Sequence, residues 1–300
     1  MSWRPAFDTM SFATTLWPDG EKADILVAAI LDPIQWPTLQ DELARNQADW
    51  LLVDTGWNST THADVLPYIV RLSPECSVTR QIFEKAGEEI GIFLRAKGNP
   101  EALLSVLAKY YALVPNMQLP DGEATFLRYY DPHVFRAFMP IATEGQRALL
   151  YGIQVQDFWA EDITTGKYEH FSRPGKLSEA CSTPSKLSNW QLAALLEAQY
   201  QKFIEALQDH ILSKYSPVPN RETINKILIE IATAIDVAKS HGFVSRREIA
   251  QFVEYADRFG FDFYEQESIE KILCREDLPA MEKLRLILPF LSPNNQMRAV

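Results

Sequence analysis

Apolar positions fall into short continuous runs along the first half of the chain and at spacings of three and four along the second. Ile25 to Leu31 is an unbroken apolar run closed by Asp32-Pro33, and Trp50 to Val53 is another closed by Asp54. Runs of this length bounded by turn residues predict buried strands. Between them Leu39 and Leu43, set among polar residues, predict a helix and so a strand-helix-strand unit. Ile92-Phe93-Leu94 after Gly91 predicts a third strand. Asn99-Pro100-Glu101 predicts a helix start, with Asn99 as N-cap, proline in the first helical position and glutamate near the positive end of the dipole. Leu113 to Leu119, the turn Pro120-Asp121-Gly122 and Ala124 to Tyr130 give the clearest hairpin signal. Asp131 then caps a following helix and Pro132 opens it. Together these elements predict a mixed sheet rather than a wholly parallel one.

From Ser172 to Pro184 the chain is rich in Ser, Thr, Pro and Gly and loses its periodicity, which marks a boundary. Beyond it Leu192, Leu196, Tyr200, Phe203, Leu207 and Ile211 share one helical face. Ser188 with Gln191 forms a capping box, and Leu187 with Leu192 holds its staple positions. A second helix carries Ile224, Ile227, Leu228, Ile231 and Ile235 and stops near Gly242. Ser245 with Glu248, flanked by Val244 and Ile249, repeats box and staple before a helix that Gly260 ends. Two shorter helices, around Ile269 to Leu273 and Met281 to Leu288, complete a bundle. The expected fold class is α+β: an N-terminal segment over 1–22, a mixed-sheet α/β domain over 23–172, a linker over 173–187 and an all-α helical-bundle lobe over 188–300.

Composition narrows the function classes. A chain of 300 residues with 47% hydrophobic residues buries enough apolar surface to fold without metals or disulfides. Its net charge of -11 repels a phosphate backbone, so nucleic acid is not an expected ligand. Cys76, Cys181 and Cys274 are far apart and odd in number, which suggests neither a disulfide framework nor a zinc site. The first 22 residues lack the apolar core of a signal peptide, and Ile25 to Leu31 is too short to span a bilayer. The expectation is a cytoplasmic protein with no membrane association, where the sequon Asn58-Ser59-Thr60 has no consequence.

Catalytic signatures are scarce. The sequence holds no GxSxG elbow, no HExxH motif and no GxGxxG loop. Gly166-Lys167 imitates a phosphate loop, but Glu161 stands where the first glycine belongs and Tyr168 where Ser or Thr belongs. The best enzyme-like cluster is Arg128, Asp131 and His133, an anion-binding cation, an acid and a base within six residues, which suits a small-molecule hydrolase as the alternative reading. The structural reading outweighs it, because Asp131 is accounted for as an N-cap and Arg128 on a hairpin is placed to pair with a carboxylate. His62, His170, His210 and His241 lie on unrelated segments. No catalytic, metal or cofactor set is therefore assigned. Trp36, Trp50, Trp57, Phe158 and Trp159 near strand and loop ends suit a binding face for an apolar or helical partner, although core packing accounts for them equally well. Trp36, Trp57, Trp159, Arg128 and His133 are the candidate partner-binding residues.

An ordered series of these segments resembles the bacterial domain family DUF4123. The likeness runs from the strand ending in Asp32 through Leu51 to Asp54, Leu66-Pro67-Tyr68-Ile69-Val70, Gly91-Ile92-Phe93-Leu94-Arg95 and the helix with Leu103, Leu104 and Leu107. Its most specific part is Leu119-Pro120-Asp121-Gly122 followed by Phe126-Leu127-Arg128-Tyr129-Tyr130-Asp131-Pro132, and Phe138-Met139-Pro140 and Leu150 to Trp159 also fit. His133 stands where the family commonly has Arg, and Tyr151 where Phe is common. The resemblance implies an adaptor or effector chaperone of type VI secretion, with a cognate effector and the VgrG or PAAR spike as partners and with no cofactor. The helical second half also looks like the variable region that commonly follows this domain, and the expectation is that cargo choice is shared between the aromatic-bearing edge of the first domain and the helical lobe.

Overall fold

In the computed structural model, residues 3–18, 24–54, 65–175, 185–215 and 219–291 are described. Helix α1 (Thr9–Leu16) precedes β1 (Ile25–Leu31), α2 (Leu39–Arg45), β2 (Trp50–Leu52), β3 (Tyr68–Arg71), α3 (Ser77–Glu84) and β4 (Gly91–Lys97). Next come α4 (Pro100–Tyr111), β5 (Asn116–Gln118), β6 (Ala124–Phe126), α5 (Pro132–Ile141), α6 (Glu144–Tyr151), β7 (Val155–Asp162), β8 (Lys167–Ser172) and β9 (Ser185–Lys186). The remaining helices are α7 (Asn189–Ser213), α8 (Arg221–Ser240), α9 (Arg246–Phe259), α10 (Glu267–Leu273) and α11 (Ala280–Ile287). The chain divides between Tyr200 and Gln201 into two compact units.

The first unit is built on a sheet ordered β2-β3-β1-β4-β7-β8, whose pairings are all antiparallel. The expected strand-helix-strand unit is present, but β3 lies between its two strands, so β1 and β2 run the same way without touching. A parallel pairing occurs in the second sheet, β6-β5-β9, between β5 and β9. Residues 176–184 of the expected linker lie outside the described residues, and β9 forms from two of the linker residues that follow them. The α+β class holds.

Both faces of the large sheet are covered, which is why β1 reads as a continuous apolar run. Leu26, Ala28 and Ile30 pack with Leu104, Leu107 and Tyr111 of α4 and with Phe135 and Phe138 of α5. Val27, Ala29 and Leu31 face the other way, toward Phe12, Leu16, Leu39, Leu43, Val78 and Ile82 of α1, α2 and α3. Burial of side chains of this size contributes about 2 kcal/mol each, so the two cores supply most of the driving force. The closest backbone approach is at Gly91, where a Cβ would run into the Ile30 carbonyl.

The sequence-derived caps of this unit form as expected. Asn99 Oδ1 accepts from the Glu101 and Ala102 N–H at 3.1 and 3.2 Å. Ser188 and Gln191 bond reciprocally, with the Gln191 N–H reaching Ser188 Oγ at 3.3 Å and the Ser188 N–H reaching Gln191 Oε1 at 3.0 Å. On α7 the expected Leu196 is exposed and Leu195 is buried in its place, packed into the core that also holds Leu187.

In the second unit α8 and α9 pack through Ile224, Ile227, Ile231, Ile235, Ile249, Phe252 and Val253, all buried. The Ser245–Glu248 box closes as predicted, but Val244 is 85% exposed and does not staple against Ile249. Lys283 is buried, and its Nζ donates to the carbonyls of His241 and Leu273, both at 2.8 Å. One cation thus satisfies the C-terminal ends of α8 and α10, where the helix dipole favours positive charge. Among the described residues no helix is long and apolar enough to cross a membrane.

Candidate functional site

The residues of the most specific sequence segment converge where β1, the β5–β6 hairpin and α5 meet. Leu119-Pro120-Asp121-Gly122 is the hairpin turn: the Gly122 N–H donates to the Leu119 carbonyl at 2.9 Å, with Gly122 at φ +98°. The Glu123 N–H returns to Asp121 Oδ1 at 3.0 Å. This is the positive-φ position that glycine occupies without steric cost. After the hairpin, Tyr129 and Tyr130 are buried in the core, and Arg128 between hairpin and core reaches back to the carboxylate of Asp32 at the end of β1.

Asp32 is fully buried and also accepts the Ile34 N–H at 3.0 Å. Burial pushes its carboxyl above the ordinary value, against the opposing pull of the Arg128 charge and the Ile34 N–H. Burial likewise pushes the Tyr130 hydroxyl up to about 12. Asp131 caps α5 by accepting the His133 N–H at 3.0 Å, and Pro132 takes the first turn, as predicted. Arg128 therefore faces Asp32, while Asp131 is spent on the helix.

His133 belongs to a neighbouring group. Its Nδ1 lies 3.3 Å from Glu89 Oε1 and 3.3 Å from Arg136 Nη2. Arg136 also pairs with Asp162 at 3.0 Å. The carboxylate of Glu161, itself buried, accepts the Gly87 and Glu89 N–H at 3.0 and 2.9 Å and so holds the turn between α3 and β4. Burial pushes Glu161 up to about 7, in spite of those two donors. Asp162 moves the other way: burial raises it, but bonds from Thr164 and Thr165 and the Arg136 charge prevail and lower it. Arg128, Asp131 and His133 thus bond different groups, Asp32, the first turn of α5 and Glu89 with Arg136, although the Asp131 charge also acts on Arg128.

The aromatic candidates are placed as follows. Trp36 and Trp159 are each 2% exposed, and their rings offer no surface to a partner. Trp36 Nε1 donates to Glu42 Oε1 at 3.0 Å, and Trp159 lies between Arg95 and a stacked His170. Trp57 lies outside the described residues. The periodicity that marks a strand end does not distinguish an aromatic turned inward from one turned out.

A second cluster escaped the sequence reading. His170 Nε2 lies 2.8 Å from Asp157 Oδ1 and 3.2 Å from Ser172 Oγ, and Arg95 bonds Asp157 Oδ2 at 2.6 Å. The composition is that of a Ser-His-Asp triad, but the connectivity is not. Both contacts fall on the same ring nitrogen, whereas proton relay needs the acid on one nitrogen and the hydroxyl on the other. The signal was available: Gly166-Lys167, which imitates a phosphate loop, lies at the turn of the β7–β8 hairpin, and its register sets Asp157 beside Ser172 and Trp159 beside His170.

The same face of the sheet carries a groove of about 360 Å³ between α1 and α3. Met10, Ala13, Trp17, Pro74 and Phe83 give it an apolar floor and wall, and Arg80 and Glu84 stand among the lining residues. Met10 is 82% exposed, an adaptable side chain held at the groove. Among the described residues no cluster of three or more His, Cys, Asp or Glu has the arrangement of a metal site.

Comparison with known proteins bears on this region. No curated protein and no solved structure matches the chain. Residues 28–149 match the family described as a domain of unknown function, DUF4123, a span that takes in Asp32, the hairpin turn, Arg128, Asp131 and α5. The matched span includes the segment whose bonds tie β1 to the hairpin and to α5, and residues 28–149 are a DUF4123 domain.

Proposed function

We propose that the chain is a non-enzymatic adaptor that binds a type VI secretion effector in the cytoplasm and promotes its loading onto the VgrG or PAAR spike. The observation that carries this reading is the DUF4123 domain over residues 28–149. Its conspicuous polar residues are engaged in internal bonds: Arg128 with Asp32, Asp131 with the first turn of α5, and His133 with Glu89 and Arg136. The surface feature with binding character is the groove between α1 and α3, lined by apolar residues with charged ones among them. A lining of this kind suits the apolar face of a cargo helix.

Co-expression of the tagged chain with each product of its flanking genes, followed by affinity capture and size-exclusion chromatography, tests the reading. A stable complex with one toxin-like neighbour, without turnover of small-molecule esters, phosphoesters or glycosides, is the expected result. Failure to form a complex with any effector or spike protein overturns it, as does hydrolysis that His133→Ala abolishes.

A further inference from the structure

The large sheet ends on β8, and the outer side of that strand carries hydrogen-bonding groups that meet no partner strand among the described residues. The Arg173 N–H donates to the Gln156 carbonyl at 2.7 Å, continuing the register in which Asp157 faces Ser172. In an antiparallel pair such bonds recur at every second residue, so Phe171, Glu169 and Lys167 turn their backbone toward β7. Tyr168, His170 and Ser172 turn their N–H and C=O groups outward. The opposite edge, β2, has three residues against six here.

Two rings at this edge are only half covered. Phe171 meets Phe135 of α5 edge-on at 5.3 Å on one face of the sheet, and Tyr168 stacks on Phe12 of α1 at 3.5 Å on the other. Tyr168 is also met edge-on by Phe7 at 5.1 Å, and both rings remain half-buried. Glu169 lies two residues from Phe171 on the same face and is exposed.

We infer that β8 is a docking edge, on which an extended segment of the protein partner adds as a further strand of the sheet. The inference rests on the adaptor reading above and gives the cargo a second point of attachment besides the groove. Backbone bonds to residues 168, 170 and 172 supply the pairing, and side chains supply the selection. The segment has a basic residue opposite Glu169 and an apolar residue, two positions along, opposite Phe171.

Overlap and charge together argue against a second copy of the chain as the occupant: an axis through Tyr168 sets Lys167 opposite Glu169 but leaves only residues 167–169 of the strand to pair before the turn. A two-fold axis through His170 sets Lys167 opposite Arg173, and one through Glu169 sets Glu169 opposite itself; like charges directly opposite destabilise a pair. An axis through Phe171 sets Glu169 opposite Arg173, but that guanidinium already donates to the carbonyls of Gly152 and Val155 at 2.8 and 3.0 Å.

The test uses the full chain and the effector that co-purifies with it. His170→Pro removes one outward N–H and the side chain but leaves the backbone bonds to β7 in place, while His170→Ala removes the side chain alone. The expected result is affinity about tenfold or more lower for His170→Pro and little changed for His170→Ala. Hydrogen exchange across residues 167–173 of the wild-type complex is expected to slow, and it answers the question even where the proline variant fails to fold. Equal affinity of the two variants, or unchanged exchange in a complex that forms, overturns the docking edge and leaves the adaptor reading standing. Protection of these amides in the chain alone, with dimerisation, overturns it in favour of self-pairing. Absence of a complex with any neighbouring product overturns both.

Discussion

Replacing Glu161 by glutamine isolates the cost of keeping a charge inside the first unit. Glu161 is buried, it faces the carboxylates of Glu88 and Glu89 and the hydroxyl of Tyr168, and its carboxyl titrates at about 7 instead of the ordinary 4.5. A group raised in this way holds its proton more tightly in the folded than in the unfolded chain. Its contribution to stability is therefore full below the ordinary carboxylate range, falls as pH rises toward 7 and levels off above it. A difference of 2.5 between 4.5 and 7, at 1.36 kcal/mol per unit, makes that loss roughly 3 kcal/mol. The amide of Glu161→Gln keeps the shape and an accepting oxygen but cannot ionise, so the stability of the variant minus that of the wild type is expected to grow by most of this amount from pH 4.5 to pH 8. Any cost of placing the amide NH2 shifts the variant by the same amount at every pH. Urea unfolding followed by tryptophan fluorescence is the assay, and it reports on the right part of the molecule: all seven tryptophans precede Gln201, where the second unit begins. A difference that stays flat across this range, or declines with pH, refutes the reasoning, because the Glu161 carboxyl would then hold its proton no more tightly in the folded than in the unfolded chain.

Three further outcomes follow from bonds described above. Arg128→Met leaves Asp32 buried without its cation and is expected to cost about 3 kcal/mol in urea unfolding, with the loss shrinking when Asp32→Asn is added. Gly91→Ala forces a Cβ onto the Ile30 carbonyl and is expected to destabilise the first unit by at least about 2 kcal/mol, seen as an earlier tryptophan transition and lower soluble yield. Met10→Asp places a charge in the groove at an exposed position, so thermal stability should hold within about 0.5 kcal/mol while capture of the effector weakens; unchanged capture would remove the groove from the binding surface.

The parts of this fold legible in the sequence are those where one local signal suffices. Asn99, Asp131, Ser188 and Ser245 cap helices because each precedes its helix by one residue and its oxygen needs only neighbouring N–H groups. The β5–β6 hairpin follows from Asp121-Gly122 in the same way. Helices α1 and α3 escaped because they are short and bury little: only Phe12 and Leu16 of the first, and Val78, Thr79 and Ile82 of the second, are buried, too few to set a period. Strand β7 escaped because the buried polar residues Asp157 and Glu161 cut its apolar run to Phe158, Trp159 and Ala160, too short to set a pattern. The sites share this fate. That Arg128 seeks a carboxylate can be read locally, but that the carboxylate is Asp32, 96 residues earlier, is a matter of tertiary packing.

The strand order has a practical consequence for anyone who cuts this chain. The family match opens at residue 28, inside β1, and closes at 149, before β7 begins. A piece trimmed to those limits loses nearly half of the central strand, bares the length of β4 where β7 should lie, and strips Phe158 and Trp159 from the two cores. It is a sheet with an open seam, a template for aggregation rather than a module. Leu187 and Leu195 also belong to the core under α4, so the shortest piece that closes every seam reaches from α1 into the first turns of α7. In this chain the stretch by which a family is known is the hinge of the architecture, and the unit that folds is wider than the stretch on both sides.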